Sequence, residues 1–296
     1  MRPLHSQTFS VSDYNLPLTL SCGQAFRWHP FEQHWFGVIE DHWIRAEAST
    51  YKLTISTTHS SPDWDLISEY FQVTQEIAEI TNRFPNDPHL NHAVKSFKGM
   101  RLLRQQPWEC LASFILSSTK QIPHIQKITE SIASHYGEPL AVPKDHPPVS
   151  TFPSPEVLGQ VSESDLRKLG MGYRAPYLKK SAQMIAAGDL SLSEIVKQPY
   201  EEAKRSLQQL HGVGPKIADC VLLFAFGKQD AFPIDVWVRR ALNTLYFPDK
   251  KMSQAKLETF AKTYFQPYAG YAQQYLFHYI RTAYDSQSST QDNFKT

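Results

Sequence analysis

Cysteine is scarce: only Cys22, Cys110 and Cys220 occur in 296 residues. They are far apart and odd in number, which argues against a disulfide framework and for a reducing compartment. Three thiols also fall short of a four-cysteine iron–sulfur site, and none follows Cys220. No run is long and apolar enough to span a bilayer, and no N-terminal apolar run resembles a secretion signal. A cytoplasmic or nucleoid-associated chain without a membrane role is therefore expected. An excess of charge of one sign is missing too: 30 basic against 29 acidic residues leave a net charge of +1. Bulk charge thus does not announce nucleic acid, and any such surface must come from local clustering. Two clusters qualify: Lys95, Lys98, Arg101 and Arg104, then Arg167, Lys168, Arg174, Lys179 and Lys180. Internal repeats and low-complexity stretches are absent. The 41% hydrophobic and 20% charged composition is that of a globular chain, long enough for two or three domains.

Short alternating runs at 16–20, 25–28, 35–39, 43–46 and 53–55 predict an antiparallel meander, with polar connections at 30–34 and 40–42. Segments 63–71 and 75–83 predict helices, and the Pro/Asn/Asp cluster at 84–90 a boundary. From there to about 284 the periodicity is helical. Leu111, Phe114 and Ile115 form one stripe; Ile125, Ile128, Ile132 and Tyr136 a second; Leu178, Ala182 and Ile185 a third, ending at Gly188. Six prolines make 139–155 a connection, and 285–296 reads as a polar, frayed tail. The expected class is α+β, in the order 1–90 (antiparallel sheet domain), 91–284 (all-helical domain) and 285–296 (tail).

The richest stretch is 207–241. Ala203, Leu207 and Leu210 mark one helix face. Gly212, Val213, Gly214 and Pro215 then break the pattern as a tight hairpin, and Ile217, Val221 and Phe224 resume it until Gly227. Glycines let backbone approach a ligand closely, and the second helix aims free N–H groups and its positive dipole end there. Phosphate is the natural guest. Lys216 sits in that helix's first turn, Cys220 lies four residues on along the same face, and Asp235 follows in a Pro-Ile-Asp-Val run. A lysine whose amine is neutral can attack carbon and form a Schiff base. The plainer alternative is a basic helix start touching phosphate and an aspartate that caps the next helix.

This block resembles the helix-hairpin-helix plus Gly/Pro-Asp signature of the DNA glycosylase superfamily. Four further segments narrow the resemblance to the 8-oxoguanine DNA glycosylase/AP lyases: SCGQAFRW at 21–28, RLLRQQPWECLASFILSS at 101–118, LRKLGMGYRAPY at 166–177 and PYAGYAQQYLF at 267–277. The likeness runs from about residue 9 to about 284. It implies a sheet domain followed by a helix-hairpin-helix glycosylase domain, and excision of 8-oxoguanine from duplex DNA followed by β-elimination.

Under the resemblance, Lys216 is the nucleophile and Schiff-base lysine, and Asp235 supports positive charge on the sugar and helps with proton transfer. The damaged nucleotide leaves the stack for a pocket. There Phe277 stacks on the base, Gln273 reads its Watson–Crick edge and Cys220 forms the opposite wall. The Gly23 carbonyl accepts the N7 hydrogen that 8-oxoguanine has and guanine lacks. Tyr173 matches a wedge and Arg174 a contact to the estranged cytosine, whose acceptors suit a guanidinium fork. Main-chain N–H groups of Gly212, Gly214 and Ile217 match a phosphate grip. The carbonyls of Gln208, Leu210 and Val213 match a structural cation site for a monovalent ion or calcium. No other cofactor is implied. Taken singly, these residues also have plainer readings: a core phenylalanine, a surface glutamine, a packed thiol, a bend at Gly23.

Departures from the family pattern are visible. His211 stands where proline is usual. Residues Thr119, Lys120 and Gln121 replace asparagines, and His124 stands at the position of a second cytosine-contacting arginine. Trp237 occupies a common histidine position, and Ile280 that of its acidic partner. The expected partner is duplex DNA with 8-oxoguanine opposite cytosine, bound by a monomer. Two rivals remain: a glycosylase of the same fold for an alkylated purine or oxidised pyrimidine, and a non-catalytic protein that binds damaged DNA. Lys216 argues against monofunctional branches, the missing cysteines against iron–sulfur branches.

Overall fold

The structure is a computed structural model that describes residues 3–118 and 120–292. It forms two compact units, one of Met1–Gln75 with Gly99–Gly227, the other of Glu76–Lys98 with Lys228–Thr296.

The first unit contains a five-stranded antiparallel sheet of β1 (His5–Ser10), β2 (Trp28–Phe31), β3 (His34–Ile39), β4 (His42–Ser49) and β5 (Lys52–Thr57), in the order β1-β5-β4-β3-β2. Its apolar face packs Ile39, Ile44, Leu53 and Ile55 against Ile67 and Phe71 of the helix Trp64–Phe71. Trp28 fills the centre of this core, and its indole N–H donates to the Tyr70 hydroxyl at 2.8 Å. That fit explains Gly37, which pairs with Trp28 across the ladder: a Cβ there would lie 2.6 Å from Trp28 Cε3.

Three elements depart from the sequence expectations. Residues 16–20 form not a strand but the helix Leu16–Ser21. The leucine alternation mimics period two, yet Asn15 caps Leu18 N–H at 3.1 Å, Pro17 occupies the first turn, and the buried residues are Leu16, Thr19 and Leu20. Residues 25–27 are irregular, with a strand beginning only at Trp28. Strand β1 had not been expected, because HSQTFS carries only Phe9 as an apolar signal; its pairing with β5, His5 opposite Thr57, places it at the sheet edge.

The helices of this unit include Pro107–Leu116, Ile122–Tyr136, Ala175–Ala186, Tyr200–Leu207 and Pro215–Phe224. The expected stripes are buried at Leu111, Phe114, Ile115, Ile125, Ile128, Ile132, Leu178 and Ala182, whereas Tyr136 and Ile185 are only half-buried. The proline-rich connection is anchored by Arg27, which is 2% exposed: its guanidinium donates to the Ser150 carbonyl at 2.6 Å and to Glu130 at 3.2 Å. Arg101 does not join a basic surface. It is fully buried and donates to the carbonyls of Ser12 and Asp13, because a guanidinium satisfied by main-chain acceptors can serve as an internal clamp.

The second unit is helical and includes Pro88–Ser96, Val236–Tyr246, Gln254–Tyr264 and Ala269–Asp292. Its centre is a buried carboxylate. Asp87 accepts the Leu90 N–H at 2.6 Å and the hydroxyls of Tyr246 and Tyr264 at 3.1 and 3.0 Å. Burial first, then Asp87, pushes the Tyr246 phenol up, so it stays a donor. The tail is not frayed from 285: the last helix continues to Asp292. Extending an existing helix needs no new nucleus, so a polar segment can follow. Residues 293–296 lie outside the described residues.

Candidate glycosylase site

In the first unit the hairpin is built as its glycines require. After Tyr200–Leu207 the chain closes with Leu210 N–H on Leu207 O at 3.1 Å and Val213 N–H on Leu210 O at 3.2 Å. Gly212 has φ 78°, and a Cβ there would lie 2.8 Å from the Tyr177 side chain. Both facts demand glycine. Gly214 is different: it is the N-cap of Pro215–Phe224 with φ −89°, and no atom lies within 4 Å of where a Cβ would sit. The helix has no side-chain cap, and its first intrahelical bond is Ala218 N–H to Gly214 O at 3.0 Å. The start of the helix is therefore open to an anion at Gly214 and Ile217. The two hairpin helices are pinned by Asp219, 5% exposed, which accepts Lys204 Nζ and the Tyr200 hydroxyl, each at 2.8 Å. Ser181 holds the His211 carbonyl at 3.0 Å.

Lys216 is half-buried in this open first turn. Its Nζ donates to Ser117 Oγ at 3.2 Å and lies 5.2 Å from the centroid of the Phe114 ring. Phe114 is fixed in turn by stacking on Phe224 at 5.5 Å. No carboxylate pairs with this amine among the described residues. A serine oxygen orients it. Cys220, on the same helix, is buried and is not part of a disulfide.

Gly23 follows the helix Leu16–Ser21 with φ 88°, so it is a helix-ending glycine and not a bend in a strand. The residue that holds it was not singled out from sequence. Gln24 is fully buried; its amide donates to Thr19 O at 2.8 Å and Arg101 O at 2.7 Å and accepts from Leu103 N at 2.8 Å. Its own carbonyl accepts from Gln105 at 2.7 Å.

Tyr173 is 52% exposed, whereas Arg174 is folded back. Its guanidinium donates to the Ser118 carbonyl and to the Tyr173 hydroxyl and stacks 4.2 Å from the Tyr173 ring. His124 is exposed in the first turn of Ile122–Tyr136, and Lys120 is half-buried; Thr119 lies outside the described residues. In the hairpin, Gln208 is exposed and Leu210 and Val213 are buried.

The second unit carries the other predicted residues. Asp235 caps Val236–Tyr246: one carboxylate oxygen accepts Trp237 N–H at 3.0 Å and Val238 N–H at 2.8 Å. Gln273 is 4% exposed, and its carbonyl oxygen has no hydrogen-bond partner among the described residues. Phe277, four residues along the same helix, is half-buried with Arg281 over its ring at 5.8 Å. In place of a polar pair at Trp237 and Ile280, Trp237 meets the Tyr284 ring at 5.2 Å.

A different cluster, Asp41, His42 and His59 in the first unit, has metal-ligand chemistry. His42 Nε2 accepts the Asp63 N–H at 3.2 Å, and its Nδ1 lies 2.8 Å from Asp41. One ring nitrogen of His42 is thus already taken by a main-chain donor.

A lysine amine in the open first turn of the second helix of a glycine hairpin defines a helix-hairpin-helix protein. Comparison with known proteins makes this specific. Residues 7–111 match the 8-oxoguanine DNA glycosylase N-terminal domain, and residues 112–267 the HhH-GPD superfamily base excision DNA repair proteins. The Arabidopsis thaliana N-glycosylase/DNA lyase is 32% identical over 290 residues, covering 90% of this chain and 77% of the relative. A probable N-glycosylase/DNA lyase of Methanothermobacter thermautotrophicus is 34% identical, covering 67% of this chain and 69% of the relative. The structure of Clostridium acetobutylicum 8-oxoguanine glycosylase/lyase, in complex with duplex DNA containing cytosine opposite 8-oxoguanine, has a TM-score of 0.88. It is 32% identical, and the match covers 95% of this chain and 98% of that one. The chain belongs to the 8-oxoguanine DNA glycosylase family of the HhH-GPD superfamily.

Proposed function

We propose that this chain is a bifunctional DNA glycosylase/AP lyase that excises 8-oxoguanine opposite cytosine in base excision repair. One observation carries the reading of the substrate. The Gln273 side-chain carbonyl oxygen is buried without a donor among the described residues, which is costly unless a ligand supplies one. The Watson–Crick edge of a flipped 8-oxoguanine carries N–H donors that would satisfy it. Phe277 stacks on that base, Cys220 packs on it, and the Gly23 carbonyl accepts its N7–H.

In the reaction, the Lys216 amine attacks C1′. A nitrogen–carbon bond forms, the bond from C1′ to the base breaks, and the base leaves with a proton. Asp235 stabilises the positive charge that develops on the sugar. Opening of the sugar ring gives an imine on Lys216, which acidifies C2′. Loss of a C2′ proton expels the 3′ phosphate and cleaves the strand. Tyr173 wedges the gap, while Arg174 and His124 face the estranged cytosine. Gly212, Gly214 and Ile217 bind a phosphate through main-chain N–H groups. The carbonyls of Gln208, Leu210 and Val213 suit a hard monovalent ion or calcium, which would brace the hairpin; three cysteines in all cannot build a four-thiolate cluster. We take 1–90 and 91–284 as the functional domains of a monomer acting at the nucleoid.

The test is incubation with an 8-oxoguanine:cytosine duplex and borohydride. A covalent protein–DNA adduct is expected on this duplex and not on a guanine:cytosine control. Cleavage of the lesion strand without any adduct would overturn the Schiff-base reading.

A further inference from the structure

We propose that Arg240 is a DNA-contacting residue that grips a backbone phosphate next to the reacting sugar, held for that task between Trp237 and Tyr284. The proposal rests on the reading of this chain as a DNA glycosylase. Its structural basis lies within the helical second unit. The helix Val236–Tyr246 starts at Asp235, and Arg240 follows on the exposed face. Arg240 is five positions after Asp235, a rise of about 7.5 Å along the helix. The guanidinium carbon of Arg240 lies 5.0 Å from the Trp237 ring centroid and 4.5 Å from that of Tyr284. The two rings stand at 67° to one another, forming a two-walled slot.

What the slot leaves undone points to the ligand. Arg240 makes no hydrogen bond or ion pair among the described residues; its neighbours are the two aromatic faces. Arg239 next to it is occupied, donating to Gln254 at 2.5 Å. A guanidinium stacked on rings keeps its in-plane N–H fork directed away from them, and its rotamer is already restricted. Such a fork matches the oxygens of a phosphodiester in two parallel charge-assisted bonds. The aspartate at the helix start has taken the N–H groups of Trp237 and Val238, so this helix cannot hold phosphate by its own N-terminus. Arg240 supplies the positive charge in its place.

The experiment measures the affinity of the full chain for an undamaged duplex and for a duplex with an abasic analogue, across a series of salt concentrations. The variants are Arg240→Gln and Arg239→Gln, which remove the same charge from adjacent positions. Arg240→Gln should weaken binding to both duplexes on the order of ten-fold at low salt. It should also reduce the slope of log affinity against log salt by about one. Arg239→Gln should leave that slope unchanged. Arg240→Lys should keep most of the slope while losing affinity, because an ammonium is a point charge without the fork. Equal effects of the two glutamine variants would show only a diffuse electrostatic contribution and overturn the proposal, as would an unchanged slope in Arg240→Gln. Because the undamaged duplex reports the contact directly, this result is separable from a failure to excise 8-oxoguanine.

Discussion

The helices Pro215–Phe224 and Val236–Tyr246 begin in opposite ways. The first starts on Gly214, has no side-chain cap, and carries a lysine in its first turn. The second starts on Asp235, whose carboxylate satisfies two main-chain donors of that turn. The same physics operates at both: a helix start presents unpaired N–H groups and the positive end of a dipole. At one start those groups are left for a guest. At the other they are filled internally, which fixes a carboxylate and keeps it from wandering. A reaction that attacks a sugar through an amine and stabilises the resulting cation has use for one of each.

The largest effect should come from the open start. Lys216→Gln keeps length and polarity but cannot form an imine. Strand cleavage and borohydride trapping should fall to background, a loss on the order of a thousand-fold or more, while binding to the damaged duplex persists. An adduct that persists in this variant would identify a different amine as the nucleophile.

The capped start separates structure from chemistry. Asp235→Asn retains an oxygen for Trp237 and Val238 N–H, so melting should change little. Turnover should still fall on the order of 100-fold, because a neutral amide stabilises a sugar cation poorly. Asp235→Ala should lose that turnover and in addition about 1–2 kcal/mol of stability, the usual cost of a lost cap. Single-turnover excision with thermal melting of both variants checks this. If the asparagine variant is as active as the native chain, the aspartate is only a cap.

The two hairpin glycines sharpen the comparison within the open start. Gly212→Ala must adopt φ 78° with its Cβ 2.8 Å from Tyr177, so a destabilisation of about 1–3 kcal/mol is expected. Gly214→Ala meets no atom within 4 Å and has an ordinary φ, so melting should be unaffected to within about 0.5 kcal/mol. Its methyl group would instead crowd the approach of a phosphate, weakening the complex with an abasic duplex. Native affinity in Gly214→Ala would mean that no backbone phosphate comes to this hairpin.

Much of this is legible in the sequence, for identifiable reasons. The hairpin announces itself because two helical periodicities are broken by glycines with no other role, and Lys216 and Asp235 stand at fixed places relative to it. Strand β5 shows as an alternating run because one face of it is buried, whereas β3 and the start of β4 are buried on both faces and show as apolar runs. Leu16 to Leu20 misled because alternate leucines match a strand, while the decision lay with Asn15 and Pro17, which act on the first helical turn. Edge strand β1 was hidden because an edge needs few apolar residues. Gln24 and the unpaired Gln273 oxygen could not be read at all: whether a buried amide has partners depends on carbonyls distant in sequence, such as that of Arg101. Likewise Arg101 sits in a basic run and looks like surface, but its acceptors are Ser12 and Asp13, far back along the chain.

The smallest expected effect concerns the base opposite the lesion, where the first unit again shows an occupied group beside an open one. Arg174 is tied to the Ser118 carbonyl and stacked on Tyr173, so its orientation is set before DNA arrives. His124 is exposed in the first turn of Ile122–Tyr136, at the position that a second arginine holds in other members of the family. A neutral imidazole is shorter than arginine and presents a single donor. One charge-assisted contact is worth about 1.5–3 kcal/mol, so preference for cytosine should be weaker here than with two arginines. His124→Arg is therefore expected to raise the ratio of kcat/KM for 8-oxoguanine opposite cytosine over adenine by about ten-fold, the lower end of that range. The increase should come from the cytosine substrate, with little change for adenine, because adenine has a C–H where cytosine presents its O2 acceptor, so a guanidinium fork finds two acceptors only on cytosine. Lys120, half-buried nearby in sequence, is the control: Lys120→Ala should lower cytosine preference only if it already replaces the missing arginine. A ratio that stays constant in His124→Arg would place His124 away from the estranged base and leave Arg174 as the reader from this unit.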